Sequence, residues 1–134
     1  MKFLILILIM LTTIISFYRC DDTINAYDID NRIIPDSNVS YSKDLAPVFE
    51  VKCVPCHGPG KTDGGVDLST WSGVTNPYLL TPGPNGSASS LLVFTVERRP
   101  GFAAMPPLDS PYLPFTEKQI KGLKTWIDEG AENN

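Results

Sequence analysis

The chain has few of the residues that metal binding and catalysis draw on most. It carries one histidine, three cysteines and three methionines in 134 residues. One histidine excludes bis-histidine ligation of an iron within a single chain. A closed zinc site needs four ligands, and no second Cys/His pair exists to complete one. Lysine and arginine total 11 against 15 acidic residues, and the cations form no stripe, which argues against nucleic acid. The longest apolar run, Phe3 to Tyr18, falls short of the ~20 residues a spanning helix usually needs. No nucleophile triad, phosphate loop or paired catalytic carboxylates can be read, so nothing in the sequence marks an enzyme.

What remains is concentrated in Cys53-Val54-Pro55-Cys56-His57. Two thiols three positions apart, followed at once by an imidazole, form the attachment signature of a c-type haem. Each sulfur reaches one vinyl group on one porphyrin edge, and the next residue lies under the iron as its proximal ligand. Cys53, Cys56 and His57 are therefore the expected cofactor-binding residues. The distal ligand follows by elimination. Met1 is the initiator and Met10 lies in an apolar leader, which leaves Met105 in Ala103-Ala104-Met105-Pro106-Pro107. A thioether facing a histidine-ligated iron is the common electron-transfer arrangement. Pro106 and Pro107 fix two φ angles and stiffen the loop that carries the sulfur. The plain alternative is that Met105 fills a gap in the core. The same Cys-x-x-Cys could also begin dithiol exchange, but the βαβ context of that chemistry is missing.

Lys2 followed by the Phe3–Tyr18 run reads as a secretory signal, with an uncleaved membrane anchor as second choice. Cys20 stands where an exported lipoprotein carries its lipidated cysteine, although Phe17-Tyr18-Arg19 is a poor processing site. Three units are expected: a leader or anchor over 1–20, a flexible tether over 21–41, with the alternative that part of it lies against the domain through Ile33 and Ile34, and a folded domain over 42–134. Residues 1–19 hold Lys2 and Arg19 and no acid, so the remainder is more acidic than the whole chain at −4. That surface suits steering toward a basic redox partner, and equally suits plain solubility.

Within the domain, a first helix is expected over Asp44–Cys53. Asp44 is its cap, Pro47 lies in its first turn, and Leu45, Val48, Phe49 and Lys52 share a face. Residues 58–84 are turn-rich, with Val66, Leu68 and Trp71 facing the haem and a backbone carbonyl accepting the His57 Nδ1–H. A second helix is expected over Ser87–Val96, with Leu91, Leu92, Thr95 and Val96 on one face. The last helix opens on a Thr116/Gln119 capping box, carries Ile120, Leu123, Trp126 and Ile127, and stops at Gly130. It should pack on the first helix, Phe49 meeting Leu123 or Trp126. Asp128-Glu129 reads as a solvated helix end. Arg98 or Arg99 pairs with a propionate, or both are solvated; Lys61 and Tyr78 are weaker candidates.

Taken in order, these motifs resemble the class I-like monohaem cytochrome c domains, closest to those of bacterial exported proteins, including the planctomycete-type. The resemblance runs over roughly residues 41–131. It rests on Asp44-Leu45-Ala46-Pro47-Val48-Phe49, the Cys53–Gly58 motif, Gly64-Gly65-Val66-Asp67-Leu68-Ser69, Thr81-Pro82-Gly83 followed by Ser90-Leu91, Met105-Pro106-Pro107, and Ile120 through Leu123 to Trp126-Ile127 and Gly130-Ala131. It implies a small all-α domain wrapped around one covalent haem c, loop-rich between helices, with His57 and Met105 on the iron. It further implies a one-electron carrier attached to its haem outside the cytoplasm, in the periplasm or cell envelope. Its partners would be redox proteins, with membrane association through the N-terminal anchor. The competing expectation is a five-coordinate catalytic or gas-sensing haem, which requires that Met105 not bind iron.

Overall fold

The computed structural model describes residues 26–134. The leader and Cys20 lie outside the described residues, as does the first part of the expected tether.

The elements are short, and helices predominate. Helix α1 (Ala26–Asp30) is followed by a π-helical turn, Tyr41–Leu45, that runs into α2 (Ala46–Lys52). A ladder of two two-residue strands comes next, β1 (His57–Gly58) and β2 (Lys61–Thr62), antiparallel with His57 opposite Thr62. The all-helical expectation omits this ladder. Then come a 3-10 turn (Asp63–Gly65), α3 (Trp71–Val74), a second 3-10 turn (Gly86–Ser89), α4 (Leu91–Val96) and α5 (Glu117–Asp128).

The first long helical segment begins earlier than Asp44. Ser40 is the cap: its Oγ accepts the Lys43 N–H (3.2 Å), and the Asp44 carboxylate accepts the Ser40 N–H (2.9 Å). Asp44 thus sits inside the first turn, where its charge suits the positive helix end. Pro47 has no N–H to give the Lys43 carbonyl four residues back. That carbonyl instead accepts Arg32 Nη2 (2.5 Å), and the Ala46 N–H reaches past it to Tyr41 O, which widens the turn. The anticipated face is buried: Leu45 and Val48 fully, Phe49 and Lys52 nearly so.

Helix α5 carries both halves of its capping box and ends at Gly130, whose φ of +112° is open to glycine and strained for other residues. Leu123, Trp126 and Ile127 face the core. The helix packs on the first helical segment at that segment's π-helical opening rather than at Phe49. Tyr41 stands between, 5.5 Å from the Trp126 ring and 6.5 Å from Phe49, while Phe49 meets Phe115 at 6.1 Å. Gln119 does more than cap, because its buried Nε2 donates to Ile29 O (3.0 Å).

Three expectations are corrected. Residues 26–41 are not a free tether: Ile29 and Val39 are fully buried, and Ile34 packs against Gly122. Burying one such side chain contributes about 1.5–3 kcal/mol, enough to hold a short segment down. The helix expected from Ser87 is broken, since Ser90 is extended (ψ 122°) and its Oγ donates to Gly86 O, leaving α4 to begin at Leu91. Asp128 and Glu129 are anchors rather than solvated ends. Asp128 accepts the Ser87 N–H and Oγ–H, and Glu129 accepts the N–H groups of Asn38 and Val39.

Candidate functional site

Helix α2 ends in a tight turn that gathers the motif. The N–H groups of Cys53 and Val54 both reach Phe49 O (2.8 and 3.0 Å), and those of Cys56 and His57 both reach Cys53 O (3.0 and 2.8 Å). The ladder after His57 folds the chain back, and the Leu68 N–H closes the loop onto His57 O (2.7 Å). Cys53, Cys56 and His57 thereby share one wall of a cavity of about 460 Å³. That size is within the range of pockets that enclose a ligand of a few hundred Å³.

The rest of the wall comes from distant segments. Helix α4 supplies Leu91, Leu92, Thr95 and Val96, the face its spacing marks, and Leu79 lies beside them with its carbonyl bonded to the Leu92 N–H (2.9 Å). Met105 follows, half-buried, its N–H held by Thr95 O (3.0 Å), with Pro106, Pro107 and Tyr112 next to it. All four expected site residues therefore meet at one cavity, whose lining is largely apolar. Val66 and Leu68 line it as anticipated. Trp71 does not; its indole N–H donates to Ala131 O (2.8 Å), tying α3 to the C-terminal segment.

Cys53 and Cys56 are free thiols. Burial pushes the Cys53 thiol up to about 12. A dithiol that exchanges with disulfides needs a lowered value, so this environment opposes that chemistry. Among the described residues no group of three or more His, Cys, Asp or Glu side chains is placed to hold a metal ion. The cavity instead offers two thiols, one imidazole and one thioether on apolar walls.

No family model matches this chain, and no curated protein and no solved structure matches it.

Two buried polar atoms lack a hydrogen-bond partner among the described residues, His57 Nδ1 and Arg98 Nε. The carbonyl expected to accept from His57 Nδ1 is thus not in place. An orphaned buried group of this kind costs about 1–3 kcal/mol. The fit to a large apolar ring rests on the donors themselves, two free thiols and an imidazole together on one apolar wall. The two arginines also separate. Arg99 is committed, its Nε 2.6 Å from Glu97 and its guanidinium over the Phe94 ring at 4.3 Å. Arg98 takes a left-handed φ of +57° and gives only a long bond, 3.4 Å, to Pro106 O. Lys61 stands outside the cavity with Nζ 3.5 Å from Cys56 Sγ, and Tyr78 lies at the rim, largely exposed.

Several lining residues escape a motif search. Tyr112 and Leu79 sit alone in loops with no period around them. The α4 face was legible as a face, but not as the cavity wall. Lys52, on the buried side of α2, also reaches the cavity.

Proposed function

We propose that this protein is a one-electron carrier with a single covalently attached haem c, ligated by His57 and Met105. One observation carries the reading: the only histidine and the only methionine beyond the leader line the same apolar cavity as both motif cysteines. Haem supplies an iron that changes by one electron, at a potential that methionine raises relative to a second histidine.

The residues divide the work. Cys53 and Cys56 would hold the cofactor, each by adding its S–H across one vinyl group, sulfur to one carbon and hydrogen to the other. His57 and Met105 would ligate the iron, and with both bound no site for substrate would remain. The Thr95 carbonyl and the two prolines restrain the Met105 loop, so less entropy is lost when the thioether ligates. Leu79, Leu91, Leu92 and Val96 exclude water. Arg98, with its unpartnered Nε, is better placed than Arg99 to pair with a propionate. The same reading has the domain exported and held at the membrane by its N-terminal leader or by a lipid on Cys20, exchanging electrons with redox proteins. No helix among the described residues is long and apolar enough to cross a membrane.

Redox titration of the purified protein under an optical probe tests the function. The expected result is one reversible one-electron transition and no carbon monoxide binding by the reduced form. A high-spin ferric spectrum with ready carbon monoxide uptake would overturn it in favour of a catalytic or gas-sensing haem.

A further inference from the structure

Lys52 is the only fully buried charge among the described residues, 4 % exposed. Its Nζ lies 2.5 Å from the Asp30 carboxylate and 2.7 Å from Pro114 O, and 5.8 Å from the centre of the Phe115 ring. Asp30 ends α1, in the segment that packs on the domain from the N-terminal side, and its side chain is 23 % exposed. Lys52 also lines the cavity, directly before Cys53.

A buried ion pair is a poor stability device, since apolar residues of similar volume often serve as well or better. Its effect on a neighbouring charge is another matter. In a low-dielectric interior Coulomb interactions reach further and salt screens them less. Reduction of an iron in the cavity lowers its charge by one. A cation in the wall favours the reduced state, and a carboxylate beside it favours the oxidised state.

We propose that Lys52 and Asp30 form a potential-setting pair: Lys52 raises the midpoint potential of the haem, and Asp30, delivered by the docked 26–41 segment, lowers it. The pair then decides which donors and acceptors can exchange electrons with the carrier, and docking of the segment becomes part of that choice. This rests on the haem reading above.

Midpoint potentials of the full-length, haem-loaded protein test the pair, measured for wild type, Lys52→Met, Asp30→Asn and the double variant. Lys52→Met should lower the potential and Asp30→Asn should raise it, each by up to about tenfold in the reduction equilibrium, or 59 mV for one electron. The double variant should fall between the two, and the shifts should survive 1 M salt, where the screening length is ~3 Å. Should Lys52→Met fail to accumulate, Asp30→Asn read against the double variant measures the same Lys52 contribution. A purely structural role predicts the opposite pattern, because loosening the segment wets the haem and moves both single variants in one direction. Shifts of one sign, or none, in proteins whose spectra show a six-coordinate haem overturn the pair alone. A wild-type protein without covalent haem overturns the pair and the carrier reading together.

Discussion

Met105 has its amide tied to helix α4 and its carbonyl side locked by prolines, while the sulfur-bearing side chain lines the cavity. Met105→Ala should therefore leave the fold and the thioether links intact while removing one axial donor. Carbon monoxide titration of the reduced variant should show binding that the wild type lacks. The midpoint potential should fall by at least about tenfold in the reduction equilibrium, or ~59 mV. An unchanged spectrum would show that another group ligates. At this scale the sequence is most informative where chemistry dictates spacing. On the haem reading, Cys53, Cys56 and His57 are spaced as a porphyrin edge requires, and scarcity singles out Met105. Trp71 misleads because an aromatic in a loop has no period to give its direction, and its indole finds a carbonyl on the far side. The place of Lys52 on the Leu45, Val48 and Phe49 face was legible, but its partner was not: Asp30 lies 22 positions away in a stretch that looks solvated.

The elements are held by contacts that cross between them, and two substitutions separate these contributions. A Cβ on Gly122 would stand 2.4 Å from Ile34 Cγ2, so α5 accepts the 26–41 segment only with no side chain there. Gly122→Ala gains up to ~1 kcal/mol of helix propensity but overpacks the contact by about 1–3 kcal/mol. Thermal melts should show net destabilisation, and limited proteolysis should cut within 26–41 sooner. A variant more stable than wild type would show that Ile34 is loosely held. Glu97, the C-cap of α4, binds Lys124 of α5 (2.9 Å) and Arg99 (2.6 Å). Burial pushes its carboxyl up, and the hydrogen bonds from Lys124 and Arg99 outweigh that, leaving it below the usual 4.5. A folded value below the unfolded one means stability that is present above about pH 4.5 and lost as pH falls through the lowered value. Glu97→Gln should lower neutral-pH stability by about 0.2–1 kcal/mol, the range for partly exposed pairs, and flatten the acid limb of the melting curve. A parallel acid limb would show that the pair contributes nothing. The capping box made α5 legible from its residues, and the 91–96 face made α4 legible apart from its start. In the 26–41 segment the docking of Ile34 was legible as an alternative, whereas Ile33 is exposed and the burial of Ile29 and Val39 was not foreseen, because these residues follow neither a 3.6 nor a 2.0 period and each is placed by a tertiary contact.

For the whole molecule the decisive quantity is the cavity. It is a cleft of about 460 Å³ with largely apolar walls that open to solvent, so an apolar group that filled it would remove those walls from water. A domain of this size has about 5–15 kcal/mol of stability in total. On the haem reading the protein core depends on the cofactor that fills the space, as small metal-dependent domains depend on their ion. Cys53→Ala with Cys56→Ala should yield a chain that has lost most of its helical circular dichroism. A haem-free variant with a cooperative melt near that of the wild type would show that the walls stand by themselves.

The account turns on one porphyrin joined to two sulfurs and gripped by one nitrogen and one sulfur donor. Intact mass and an optical spectrum on the same sample, purified from a host equipped for cytochrome maturation, test it most directly. The account predicts a mass increased by one haem that survives denaturation, and a low-spin ferric spectrum with a methionine–iron charge-transfer band. A colourless, folded protein of unmodified mass would contradict it.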